Sequence, residues 1–119
     1  MFNATKKILI QLLLLVLPIT SAIAANSVSS ADTFIIDVRT EAEWNAGHLE
    51  GAILIPHDRI ETGISKVVVD KKAAIYLYCR TGRRTALAVG FLKKSGYQNL
   101  SNLETLENAS RVLGRRIVQ

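Results

Sequence analysis

The chain has 119 residues, of which 49% are hydrophobic and 21% charged, with a formal net charge of +5. That length suits one domain, and an ordinary charged fraction beside so much apolar matter excludes a disordered chain. The basic residues form no long stripe and few aromatics interleave with them, which argues against nucleic acid as a partner.

Residues 1–24 read as a secretory signal peptide. Lys6 and Lys7 supply its positive start, Ile8 to Leu17 is apolar apart from Gln11, and Pro18 ends the run. Ala22-Ile23-Ala24 then offers small residues at the two positions a signal peptidase reads, so cleavage is expected after Ala24. The unbroken run Leu12 to Leu17 is far short of the roughly 20 apolar residues that a span needs. No cysteine follows it to carry a lipid, so no stable membrane insertion is expected after cleavage. The domain is expected over 25–119.

Ala25 to Thr33 is small and polar and reads as a loose leader. Phe34-Ile35-Ile36 is a buried strand ending at Asp37-Val38-Arg39. Thr40 with Glu43 three residues on forms a capping-box pattern for a short helix, stopped by Gly47, with Trp44 in the core. Ala52 to Ile55 is a second apolar run closed by Pro56, and Asp58 to Lys66 predicts a helix with Ile60 and Ile64 on one face. Ala73 to Tyr78 is the clearest strand. Thr85 to Ser95 predicts a mostly buried helix, with Ala86, Leu87, Val89, Gly90 and Phe91 spread round it and Gly96 ending it. Tyr97 to Leu103 holds a further strand and Glu104 to Arg116 a last helix. Short strands, apolar on both faces and alternating with helices, predict an α/β fold with a mainly parallel sheet covered by helices.

The chemistry gathers at Tyr78-Cys79-Arg80-Thr81-Gly82-Arg83-Arg84-Thr85, between the clearest strand and the helix after it. Ligands of parallel sheets bind at the carboxyl ends of strands, where a helix N-terminus offers free N–H groups and a positive dipole end. A cysteine placed there has its thiolate stabilised. Gly82 lets the following N–H groups turn inward, and Arg80, Arg83 and Arg84 add cations, so the segment reads as an anion cradle with a nucleophile at its floor. Cys79 is the only cysteine, which excludes an internal disulfide and a cysteine metal cluster, and neither His48 nor His57 has metal-ligand spacing. Attack of a thiolate on divalent sulfur needs neither metal nor cofactor, and its leaving group can be a stable anion.

This loop resembles the active-site loop of rhodanese-homology domains, which begins with cysteine and commonly carries glycine at its fourth place. A second block agrees with the family's signature: Asp37-Val38-Arg39, then Glu43-Trp44, Gly47-His48-Leu49-Glu50-Gly51-Ala52 and Ile55-Pro56. The resemblance covers about residues 33 to 103. With the signal peptide, the chain is similar to small periplasmic single-domain members. The resemblance implies a three-layer fold, a mainly parallel five-stranded sheet with helices on both faces. It implies thiosulfate, or a small persulfide, as sulfur donor and a persulfide on Cys79. A thiophilic acceptor such as cyanide then takes the sulfur. Arg80, Thr81, Gly82, Arg83 and Arg84 would surround the anionic donor. Asp37 and Arg39 would hold structure, Arg39 pairing with Glu43, and His48 would brace a turn. Glu104 and Thr105 depart from the pattern, standing where many relatives carry glycines near the site's mouth. A carboxylate there would oppose a dianion.

Two other functions compete. A phosphatase or arsenate reductase of the related fold needs five residues between cysteine and arginine to enclose a tetrahedral oxyanion. Cys79 and Arg84 have four between them, which favours a sulfur atom. A non-catalytic binding module would keep the fold and lose the cysteine, which is present.

Overall fold

The computed structural model describes residues 33–119. The expected signal peptide, its cleavage point after Ala24 and the polar leader up to residue 32 lie outside the described residues. Four parallel strands form the main sheet: β1 (Thr33–Asp37), β3 (Ile53–Leu54), β4 (Ala74–Cys79) and β5 (Asn99–Thr105), in the order β3-β1-β4-β5. The α/β expectation therefore holds, while the main sheet has four strands among the described residues rather than five. A separate antiparallel pair joins β2 (His48–Leu49) to β6 (Ile117–Val118).

Side-chain alternation sends each central strand into two cores. From β1, Ile36 joins a larger cluster and Ile35 a smaller one; from β4, Ile75, Leu77 and Cys79 face the first and Tyr78 the second. The larger cluster is closed by α2 (Ile60–Gly63) and α3 (Arg83–Lys94), which bring Ile60, Ala88 and Leu92. The smaller is closed by α4 (Leu106–Leu113), through Leu106 and Ala109, and by Leu49 of β2. Helices thus cover both faces, as a sheet buried on both sides requires.

Several expected elements differ in detail. The helix expected over Asp58 to Lys66 is broken into a 3-10 turn at His57–Arg59, the single turn α2 and a second 3-10 turn at Ile64–Lys66. Ile60 and Ile64 are nonetheless both buried. The helix α3 is half exposed, not mostly buried: Thr85, Ala88 and Leu92 face inward, while Leu87 and Phe91 lie on the solvent side. The short helix α1 (Glu41–Ala46) carries the expected capping box, Thr40 and Glu43 each accepting from the other's backbone N–H. It buries no residue, so Trp44 is half-buried rather than core. The last helix stops at Leu113, where Gly114 takes the left-handed conformation and turns the chain back into β6.

Candidate active site

Cys79 is the last residue of β4 and is fully buried. The chain then crosses Arg80 and Thr81 to Gly82, which caps α3 at φ +91. Only glycine takes that conformation without penalty, and it aims the Gly82 N–H at Sγ of Cys79, 2.9 Å away. A Cβ on Gly82 would also approach Cγ of Glu104 to 3.1 Å. Burial alone would push the Cys79 thiol up. The Thr85 hydroxyl and the backbone N–H groups of Thr85, Thr81 and Gly82 outweigh it and bring the thiol below its ordinary value.

Thr85 was not expected to act. It is fully buried, and its Oγ1 is the one buried side-chain polar atom among the described residues without a partner at hydrogen-bonding geometry. Its hydroxyl favours the Cys79 anion over the neutral thiol. Thr85→Val will move the pH profile of Cys79 alkylation upward and slow alkylation at neutral pH by about fivefold, the worth of one hydrogen bond. Thr85→Ser will restore both. An unchanged profile in the valine variant would remove Thr85 from the site.

The three loop arginines divide. Arg80 is exposed and lines a cavity of about 320 Å³ whose wall also contains Cys79, Arg39, Glu43, Ala46, Leu106 and Glu107. Arg83 is exposed and is not among those lining residues. Thr81 is likewise exposed, with its Oγ1 3.5 Å from the Arg83 N–H. Arg84, expected to hold the donor, instead donates to both carboxylate oxygens of Glu43, at 2.7 and 2.9 Å. That bidentate pair, helped by the Thr40 cap, holds the Glu43 carboxyl down at about 2 and pins α1 to the start of α3.

Arg39 does not pair with Glu43 as expected. Its Nε and Nη2 grip the fully buried Asp37 carboxylate at 2.7–3.1 Å, and Nη2 also donates to the Gly47 carbonyl at 2.6 Å. Asp37 wins because it lies two residues away and also accepts the Arg39 backbone N–H. The guanidinium lies 5.5 Å from the Tyr78 ring centre. Arg39 thus holds structure as expected, while reaching the cavity wall. His48 braces its turn: Nδ1 lies 3.0 Å from the Trp44 carbonyl and its ring stacks on Trp44 at 3.5 Å.

Where glycines were expected, Glu104 keeps a glycine-like backbone, φ +68, and is the only non-glycine among the described residues with positive φ. It occupies an irregularity where β5 slips against β4: Leu77 pairs with Asn102, but Cys79 with Thr105. Asn102, which the sequence reading did not single out, ties this bulge to the loop. Its Oδ1 accepts the Glu104 N–H at 2.9 Å and its Nδ2 donates to the Gly82 carbonyl at 3.2 Å. Thr105 has ordinary dihedrals and caps α4 through the Asn108 N–H. Glu104 is absent from the cavity wall; of the two carboxylates that line it, Glu43 is paired, and Glu107, in the first turn of α4, has no ion pair among the described residues.

A profile described as a rhodanese-like domain matches residues 20–105. The chain is 33% identical over 73 residues to the thiosulfate sulfurtransferase PspE of Escherichia coli K12, covering 61% of this chain and 70% of that protein. It is 40% identical over 72 residues to a probable adenylyltransferase/sulfurtransferase, MoeZ, of Mycobacterium tuberculosis, covering 59% of this chain but only 18% of that one. A tRNA uridine(34) hydroxylase of Yersinia enterocolitica is 28% identical over 81 residues, covering 65% of this chain and 23% of its own. Among solved structures, a rhodanese with anions from E. coli superposes with a TM-score of 0.62 at 32% identity, covering 64% of this chain and 89% of that one. A rhodanese-like domain from Anabaena sp. gives 0.66 at 27% identity, covering 76% and 90%.

Proposed function

This chain belongs to the rhodanese-like domain family, and from that premise we propose that it is an exported thiosulfate sulfurtransferase working through a persulfide on Cys79. The observation that carries the reading is the Gly82 N–H directed at the Cys79 sulfur, 2.9 Å away, at the head of α3. In the first half-reaction the Cys79 thiolate attacks the outer sulfur of thiosulfate. The S–S bond of the donor breaks, sulfite leaves with the electron pair, and Cys79 carries the outer sulfur as a persulfide anion. The N–H groups that favour the thiolate would serve that anion too, and Arg80, which lines the same cavity, would add a positive charge.

In the second half-reaction a thiophile attacks the terminal sulfur. The bond to Sγ breaks, and its electrons restore the thiolate. With cyanide the product is thiocyanate. Neither half needs a metal, a cofactor or a general base. The signal-peptide pattern of residues 1–24 supports a periplasmic location for the domain.

Because sulfite departs before the acceptor arrives, steady-state rates at varied thiosulfate and cyanide will give parallel double-reciprocal lines. Intersecting lines would require both substrates to be bound together and would overturn the double displacement.

A further inference from the structure

Gly82 sets the environment of the Cys79 sulfur, and nothing in its own chemistry holds it in place. The freedom that lets glycine adopt φ +91 lets it leave that conformation equally well. Its neighbours Arg80, Thr81 and Arg83 are all exposed, so the crossing from β4 to α3 has no buried side chain to anchor it. Two hydrogen bonds meet the Gly82 carbonyl. The Ala86 N–H donates at 2.9 Å, at the start of α3, and Nδ2 of Asn102 donates at 3.2 Å from β5. Among the described residues, the second is the only side-chain hydrogen bond that reaches residues 80–83 from another element. Glu104 packs on the same glycine: a Cβ on Gly82 would meet its Cγ, Cβ and Cα at 3.1, 3.3 and 3.4 Å. Asn102 and Glu104 both belong to the irregularity of β5, where Leu103 and Glu104 stand opposite Tyr78 alone. Asn102 is exposed and of a type that strands disfavour, so neither burial nor propensity accounts for it. Its two polar atoms do, Oδ1 accepting the Glu104 N–H and Nδ2 donating to Gly82. A carboxylate in its place would accept from Glu104 but could not donate to Gly82.

We propose that Asn102 is a positioning residue for the Cys79 nucleophile: it holds Gly82 from the sheet side and thereby keeps the Gly82 N–H on the sulfur, 2.9 Å away. The assignment rests on Cys79 as the nucleophile of the proposed reaction. Without the amide, the Gly82 carbonyl still has the Ala86 N–H, so α3 begins where it did. The Thr81–Gly82 peptide, however, is then free to rotate, and each rotation takes one donor from the thiolate. The loss is partial, because the Thr85 hydroxyl and the N–H groups of Thr85 and Thr81 remain. The same amide steadies the bend at Glu104, whose left-handed backbone, φ +68, disfavours a residue with a side chain. Asn102 therefore has a structural effect and a chemical one, and they reach different observables.

The test uses the purified protein and reads Cys79 directly, as its rate of alkylation by iodoacetamide against pH. Asn102→Ala will move the profile upward and slow alkylation at neutral pH by about threefold, part of the effect of one hydrogen bond. It will also lower the urea midpoint, since the Glu104 N–H loses its acceptor. Adding Glu104→Gly to that variant relieves the left-handed backbone and will recover the midpoint, while the alkylation profile stays shifted. Should Asn102→Ala not fold, Asn102→Asp keeps the acceptor for Glu104 and loses the donor to Gly82. It will show the same shift at about 1 M salt, where its added charge is screened. An unshifted profile in folded Asn102→Ala or Asn102→Asp would overturn the assignment, as would a profile that Glu104→Gly restores together with stability. A wild type whose alkylation responds to Asn102 in this way but which takes up no sulfur from thiosulfate would instead overturn the persulfide reading and leave the role of Asn102 standing.

Discussion

Asp37→Ala will lower the unfolding free energy by about 3–5 kcal/mol, the cost of leaving a buried guanidinium without its partner. Asp37 is fully buried at the carboxyl end of β1, and Arg39, 6% exposed, reaches back to it through Nε and Nη2. The same guanidinium holds the Gly47 carbonyl, so the pair also fixes the chain where α1 turns into β2. Domains of this size have only about 5–15 kcal/mol to lose. Replacing both partners by apolar residues removes the orphaned charge, so Asp37→Ala with Arg39→Met will recover much of the loss. Urea unfolding of the two variants measures this; a single-variant loss below about 1 kcal/mol would mean that water already reaches the pair.

Cys79→Ser will reduce thiocyanate formation by about 10⁴-fold or more, since the nucleophile carries the whole covalent path. The serine hydroxyl does not ionise at neutral pH and forms no persulfide. The fold will survive, because the side chain is small and the Gly82 N–H still finds an oxygen to meet. Activity within tenfold of the wild type would show that sulfur passes without Cys79.

How far the sequence could be read depended on how local each cause was. β4 was legible because six residues of apolar and aromatic character sit together, and both of its faces are buried. The capping box at Thr40 and Glu43 was legible because it spans three residues. The position of Cys79 under Gly82 followed from a three-residue spacing and the left-handed turn that glycine allows. Interactions across the fold were not legible. Glu43 meets Arg84 from 41 positions away, so no periodicity could reveal that Arg84 is committed to α1 and unavailable to the donor. Glu107 carries no local signal in the sequence, and the packing of α4 against β5 brings it into the cavity lining. Glu104 was noticed as a missing glycine. Its left-handed backbone shows that the bend survived the change of residue, while its side chain turned to Gly82 rather than to the cavity.

The central claim, a persulfide on Cys79, is tested most directly by the intact mass of the protein after incubation with thiosulfate. The wild type will gain the mass of one sulfur atom and lose it on addition of cyanide, with thiocyanate appearing in equal amount, and Cys79→Ser will gain nothing. A wild type that takes up no sulfur, or a serine variant that takes it up equally, would contradict the account.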